Sequence, residues 1–153
     1  MQNPVLEILP TIGLGNLKFG TPISEIKKIL GEPQEIENLN ELEGVNALVW
    51  HYWENGFSIF FDEATSTYFS GVEIDNEETL LWGFNVFDLN EKEVLQLFKN
   101  KGYEKSDEEA HEWGEKRVSY DSIQVDLYFT NNILSSINFG VIIEEFKFTI
   151  FPN

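Results

Sequence analysis

Two histidines and no cysteine set the first limit on the chemistry open to this chain. A thiolate nucleophile, a thiolate zinc site and a disulfide framework are all excluded. His51 falls in a predicted strand and His111 in a linker, and neither belongs to an HExxH or similar ligand pair. A lone strand histidine is most often a surface or pocket residue. Gly13-Leu-Gly15 lacks the third glycine of a dinucleotide fingerprint and reads as a turn. Counting an EF-hand loop from Asp62 puts Ala64 at a ligand position and Thr67 where the glycine belongs, so that motif is excluded. No Gly-x-Ser-x-Gly elbow exists, and no serine is expected beside a base. Paired carboxylates of the glycosidase kind stay open, because their separation is set in three dimensions. No catalytic residue is nominated, and neither metal nor cofactor is expected.

The carboxylates themselves are abundant: 27 acidic residues against 10 basic ones give a formal charge of -17. Such a field repels phosphate backbones and anionic membranes and attracts basic partners or cations. Nucleic-acid and membrane binding are therefore not expected. Two readings of the acidity stand: solubility alone, or attraction of a basic partner. Clusters such as Glu35/Glu37/Glu41/Glu43 and Asp107/Glu108/Glu109/Glu112 read as solvated faces and loops. The first residues show neither the basic start nor the long apolar run of a signal peptide. No stretch approaches the ~18 apolar residues of a spanning helix. A cytoplasmic location is the expectation.

With 42% hydrophobic and 14% aromatic residues, 153 positions can fill one packed core. Two helices are predicted. The first opens at Thr21 as N-cap with Pro22 behind it, carries Ile23, Ile26, Ile29 and Leu30 at helical spacing, and stops at Gly31. The second opens at Asn90 with Glu93 as a capping box, carries Val94, Leu97 and Phe98, and ends at Gly102. Strands follow each helix: residues 48–54, 57–62 and 71–75, then 117–120, 123–129 and 134–139. Asn55-Gly56 reads as a two-residue hairpin, with Asp121-Ser122 and Asn131-Asn132 as turns.

One offset relates the halves. Ile26 and Val94, Ile29 and Leu97, Trp50 and Val118, Tyr52 and Tyr120, Phe57 and Val125, and Phe61 and Phe129 are all 68 residues apart. The third strand needs 65, as in Val72 to Ile137. An internal αβββ repeat is predicted, at about 15–75 and about 83–140 of a single domain, with short strand-like segments at both termini.

Gly15-Asn-Leu-Lys-Phe-Gly20 leads into Ile23-Ser-Glu-Ile-Lys-Lys-Ile-Leu-Gly-Glu-Pro33. This opening resembles the tandem αβββ repeats of β-lactamase-inhibitor-protein-like (BLIP-like) proteins, a group that includes bacterial immunity-type proteins. The likeness covers roughly residues 15–75. The second half departs from it, with Asp88 and Lys99 in place of glycines and Lys101 in place of the proline. The resemblance implies helices packed on one face of a continuous antiparallel sheet, and protein binding on the other. It transfers fold more safely than function.

Strand alternation separates the faces. Trp50, Tyr52, Phe57, Ile59, Phe61, Val72 and Ile74 should turn inward, as should Val118, Tyr120, Ile123, Val125, Leu127, Phe129, Ile137 and Phe139. The opposite parity mixes polar residues with Trp53, Phe60 and Tyr128. A two-residue hairpin would set Trp53 opposite Ser58 and His51 opposite Phe60. Aromatic anchors among polar groups suit a binding surface, so His51, Trp53, Phe60, Glu73, Asp126 and Tyr128 form the candidate partner site. Two alternatives stand: the rings face water, or Val5–Leu9 or Phe146–Phe151 covers them. The leading expectation is a non-catalytic, protein-binding module, of the inhibitor or immunity type, for a basic partner. The alternative is a cytosolic enzyme or small-ligand binder using carboxylates in a cleft between the halves.

Overall fold

From the N-terminus the chain forms short strands β1 (Glu7–Leu9), β2 (Gly13–Leu14) and β3 (Leu17–Lys18), then α1 (Ile23–Leu30). Four strands follow: β4 (Glu35–Leu39), β5 (Ala47–Tyr52), β6 (Phe57–Phe61) and β7 (Phe69–Ile74). Next come β8 (Leu80–Leu81), β9 (Phe84–Asn85) and α2 (Glu91–Asn100). Then β10 (Asp107–Ala110), β11 (Glu115–Tyr120), β12 (Val125–Thr130) and β13 (Ile133–Gly140) complete the main sheet. A last hairpin joins β14 (Ile142–Glu144) to β15 (Lys147–Thr149). This computed structural model describes residues 5–39, 47–63, 65–144 and 147–149.

The architecture is α+β. Eight antiparallel strands run in the order β10-β11-β12-β13-β7-β6-β5-β4. A second sheet, β3-β2-β1-β8-β9, contains a parallel pair between β1 and β8. Each helix is followed by four strands of the main sheet where three were expected. The additional strands are β4 and β10, which lie at the two edges and whose acidic sequences suggest solvated faces and loops. Neither Glu-Ile-Glu-Asn-Leu nor Asp-Glu-Glu-Ala alternates apolar with polar residues, so periodicity cannot reveal them. Charged edge strands also discourage pairing with another sheet.

Helix α2 has the expected capping box, with Glu93 N–H donating to Asn90 Oδ1 at 2.9 Å and Asn90 N–H to Glu93 Oε1 at 3.0 Å. At α1 the expected Thr21 cap is corrected. Pro22 occupies the N-cap position, and the Thr21 hydroxyl instead donates to the Lys18 carbonyl at 2.7 Å. Both helices bury their stripes, Ile26 and Leu30 from one, Val94, Leu97 and Phe98 from the other. All the strand residues assigned inward are buried as well, and they share one core with Ile8, Leu14, Leu17 and Leu81 of the small sheet. Each such side chain contributes roughly 1.5–3 kcal/mol on burial.

The hairpin between β5 and β6 is longer than expected. Asn55 does not take the positive φ that a two-residue Asn-Gly turn demands. Trp53–Asn55 form a 3-10 turn instead, closed by Gly56 at φ 72°. Tyr52 therefore pairs with Phe57, His51 with Ser58, and Val49 with Phe60. The slip is two residues, which preserves the faces. A like turn, Asp121–Ile123 closed by Gln124 at φ 53°, separates β11 from β12. Asn131 and Asn132 form the expected tight turn at φ 50° and 69°.

Candidate functional site

The register lines up one row of residues on the outer face across all eight strands: Glu35, His51, Ser58, Glu73, Asn138, Asp126, Ser119 and Asp107. Three of the six candidate site residues, His51, Glu73 and Asp126, therefore share a row. Neighbours two strands apart in it are separated by roughly 10 Å.

The three rings do not form one patch. Phe60 belongs to the row Glu37, Val49, Phe60, Gly71, Gly140 on one side of the central row. Tyr128 lies on the other side, between Ser136 and Arg117, and Glu109 follows Arg117. Trp53 stands on Tyr128's side but in the turn beyond β5, four strands away, or roughly 19 Å. Phe60 and Tyr128 are half-buried, whereas Trp53 is 57% exposed. Val5–Leu9 does not cover this face, because it enters the second sheet with Ile8 in the core. Of Phe146–Phe151 only the backbone of Lys147–Thr149 lies within the described residues.

Trp53 folds back over the sheet. Its ring stacks on His51 with centroids 4.2 Å apart and planes 7° apart, and its Nε1–H donates to Glu35 Oε1 at 3.2 Å. His51 is buried and uses both ring nitrogens, Nδ1 with Ser58 Oγ at 2.7 Å and Nε2 with Glu37 Oε1 at 2.9 Å. The expectation that no serine sits beside a base is overturned here. His51 and Ser58, seven residues apart, become cross-strand partners once the turn is lengthened. A serine–histidine–carboxylate chain is an arrangement defined by geometry. It borders a small cleft of about 150 Å³ whose titratable lining includes Glu73 and Asp75. Those carboxylates oppose an oxyanion where acyl transfer needs donors. The bonds of His51 link edge strand β4 to β5 and β6.

At the other edge Arg117 donates to Asp107 at 2.8 Å and Glu109 at 3.4 Å, and also to the Ser119 hydroxyl. The Arg117 hydrogen bond holds the Asp107 carboxyl below its ordinary value. Burial, then the neighbouring Asp126 charge, pushes the Tyr128 hydroxyl up. A second stack, His111 on Trp113 at 4.4 Å and 9°, stands in the β10–β11 turn, with Trp113 66% exposed. Sequence reasoning passed over Trp113. The signal that marks it is the shared spacing His-x-Trp, in His51-Tyr-Trp53 and His111-Glu-Trp113.

Between the two central strands the outer face is hollow. A groove of about 260 Å³ is lined by Phe60, Gly71, Asp121, Gln124, Asp126, Asn138 and Gly140, together with backbone neighbours. Among the described residues no group of three or more histidines and carboxylates could hold a metal ion, and no helix is long and apolar enough to cross a membrane. Compared with known proteins, the chain matches no family model, no curated protein and no solved structure.

Proposed function

We propose that this chain is a non-catalytic, cytoplasmic protein-binding module, of the inhibitor or immunity type, whose outer sheet face engages a basic protein. One observation carries the reading: the row across the sheet bears Glu35, Glu73, Asp126 and Asp107, while Arg117, the arginine beside it, is already paired with carboxylates. The formal charge of -17 extends that field over the molecule and would steer a basic partner toward it. Exposed Trp53 supplies a rigid aromatic anchor at one end.

We also infer two tandem repeats, as the BLIP-like resemblance implies, each extended by an edge strand. Matching registers support this. Trp50 pairs with Ile59 and Val118 with Leu127, at the same offset of 68. A bulge follows Phe60 in one half and Tyr128 in the other, again 68 apart.

The test is affinity capture of a partner, followed by binding of the purified partner at two salt concentrations. A basic protein is expected, bound more weakly at the higher salt and by the Glu73→Gln/Asp126→Asn variant. A partner bound equally by both proteins at both salts would overturn the reading. A second reading, a small-molecule hydrolase, is favoured by the Ser58–His51–Glu37 chain and opposed by its carboxylate surroundings. Labelling of Ser58 by a fluorophosphonate would support it.

A further inference from the structure

We propose that the groove over Gly71 and Gly140 is the receptor for one arginine side chain of the basic partner, an inference that rests on the function proposed above. Glycine inside a strand weakens a sheet and often marks a close approach. The two glycines face each other on the central strands β7 and β13. Gly140 is required by the fold itself, since a Cβ there would stand 2.5 Å from the Ser70 carbonyl oxygen and 3.0 Å from Gly71 Cα.

Gly71 has no such reason. It does not have a positive φ, and a Cβ would meet the Phe139 carbonyl oxygen at 3.4 Å and Phe60 Cβ at 3.6 Å, which are ordinary contacts. The comparable place in the other half is Ser136, opposite Tyr128 as Gly71 is opposite Phe60, and it carries a side chain. What glycine at 71 leaves is the groove.

The lining selects the occupant. Its titratable groups are two carboxylates, Asp121 and Asp126, and no lysine, arginine or histidine reaches it. Asn138 lines the groove with them, its Oδ1 buried and without a hydrogen-bond partner among the described residues. Phe60 offers a ring on the opposite wall. Two carboxylates and an aromatic face together suit a guanidinium, which stacks on rings and donates along several directions at once. An ammonium is a point charge and would use fewer of these groups. At about 260 Å³ the groove is below the roughly 300–1,000 Å³ of drug-sized ligand sites, so a single side chain fits the size better than a cofactor.

The experiment is an NMR titration of the full chain with acetyl-Gly-Arg-Gly-amide, compared with the isosteric citrulline peptide and the lysine peptide. The arginine peptide should bind at least about tenfold more tightly than the citrulline peptide, and more tightly than the lysine one, as the guanidinium's extra donors require. Amide shifts should concentrate at Gly71, Gln124, Asp126, Asn138 and Gly140. Gly71→Val should lose at least about tenfold in affinity with the melting temperature kept or raised, because valine suits a strand better than glycine. If that variant does not fold, Asp126→Asn serves instead and should weaken the arginine peptide alone. Equal binding of arginine and citrulline peptides, shifts scattered over Glu35, Glu77 and Glu112, or unchanged binding by the folded variant would overturn the proposal. The captured basic partner separates the two readings. Full binding by Gly71→Val but weakened binding by Glu73→Gln/Asp126→Asn sinks the groove alone. Full binding by both variants sinks the outer face as the docking surface.

Discussion

Trp53 and His51, two residues apart in the chain, lie flat against each other at the tip of the β5–β6 hairpin, 4.2 Å between ring centroids. The histidine is buried and hydrogen-bonded on both nitrogens, so it forms a fixed platform beneath a ring that stays 57% exposed. Truncating Trp53→Ala should therefore change stability by no more than about 1 kcal/mol. Binding of the basic partner should weaken by roughly 2 kcal/mol or more if Trp53 is an anchor. Denaturant melts and titration calorimetry on one preparation check both. An unfolded Trp53→Ala protein would assign the ring to the core.

Neutralising Glu73 and Asp126 should slow association, and the loss of Asp126 from the groove should also speed dissociation. On the outer face Glu73 is exposed and Asp126 half-buried, and charge complementarity there steers encounter. Stopped-flow mixing at low ionic strength should show association slowed about tenfold, with a flatter salt dependence. Association unchanged by the double substitution would mean that the charge of the outer face does not steer the partner.

Asp62 makes the acid limb of stability predictable. Its carboxylate accepts from Thr65 N–H at 2.7 Å, the Thr65 hydroxyl at 2.8 Å, Thr67 N–H at 2.9 Å and Tyr68 N–H at 2.8 Å. Burial alone would raise its pKa, but the bonds from Tyr68, Thr67 and Thr65 outweigh it and leave the group below its ordinary value. A depressed folded pKa stabilises above the unfolded value of about 3.9 and is lost as pH falls through the folded one. Asp62→Asn should cost about 1–3 kcal/mol at neutral pH. The gap from the parent should close as both are acidified, which melts at pH 7 and near pH 3 would read.

The two αL closures, at Gly56 and Gln124, make opposite predictions. A Cβ at Gly56 would stand 2.8 Å from Asn76 Cβ, so Gly56→Ala should lose at least about 1 kcal/mol. Gln124 holds φ 53° and ψ 50° with a side chain. Gln124→Gly relieves that strain while loosening the unfolded chain, and the net gain should lie between zero and about 1 kcal/mol. Paired urea melts compare them directly.

Chelator should leave the melting temperature unchanged apart from ionic-strength effects, since the described residues hold no cluster of three or more histidines and carboxylates that could hold a metal ion. A drop of many degrees, restored by one equivalent of metal, would contradict this.

Much of the framework was legible along the chain, because helical stripes and strand alternation are local consequences of backbone geometry. Ile26 with Leu30, Val94 with Phe98, and the inward parity from Trp50 to Phe139 are all buried as their spacing required. The same parity separated the outer face, and it survived a hairpin slip because the slip was two residues. What the chain order could not express is which residues meet across strands. The edge strands β4 and β10 have no apolar rhythm and exist because β5 and β11 offer them open hydrogen-bonding edges. Ser58, His51 and Glu37 converge only when three strands are in register. Phe60 and Tyr128, alike in sequence, end on opposite sides of the acidic row, and Gly71 meets Gly140 only where β7 joins β13. Periodicity assigns a residue to a face. Its neighbours on that face come from strand pairing, which sums contacts over the whole sheet and leaves no mark on any single segment.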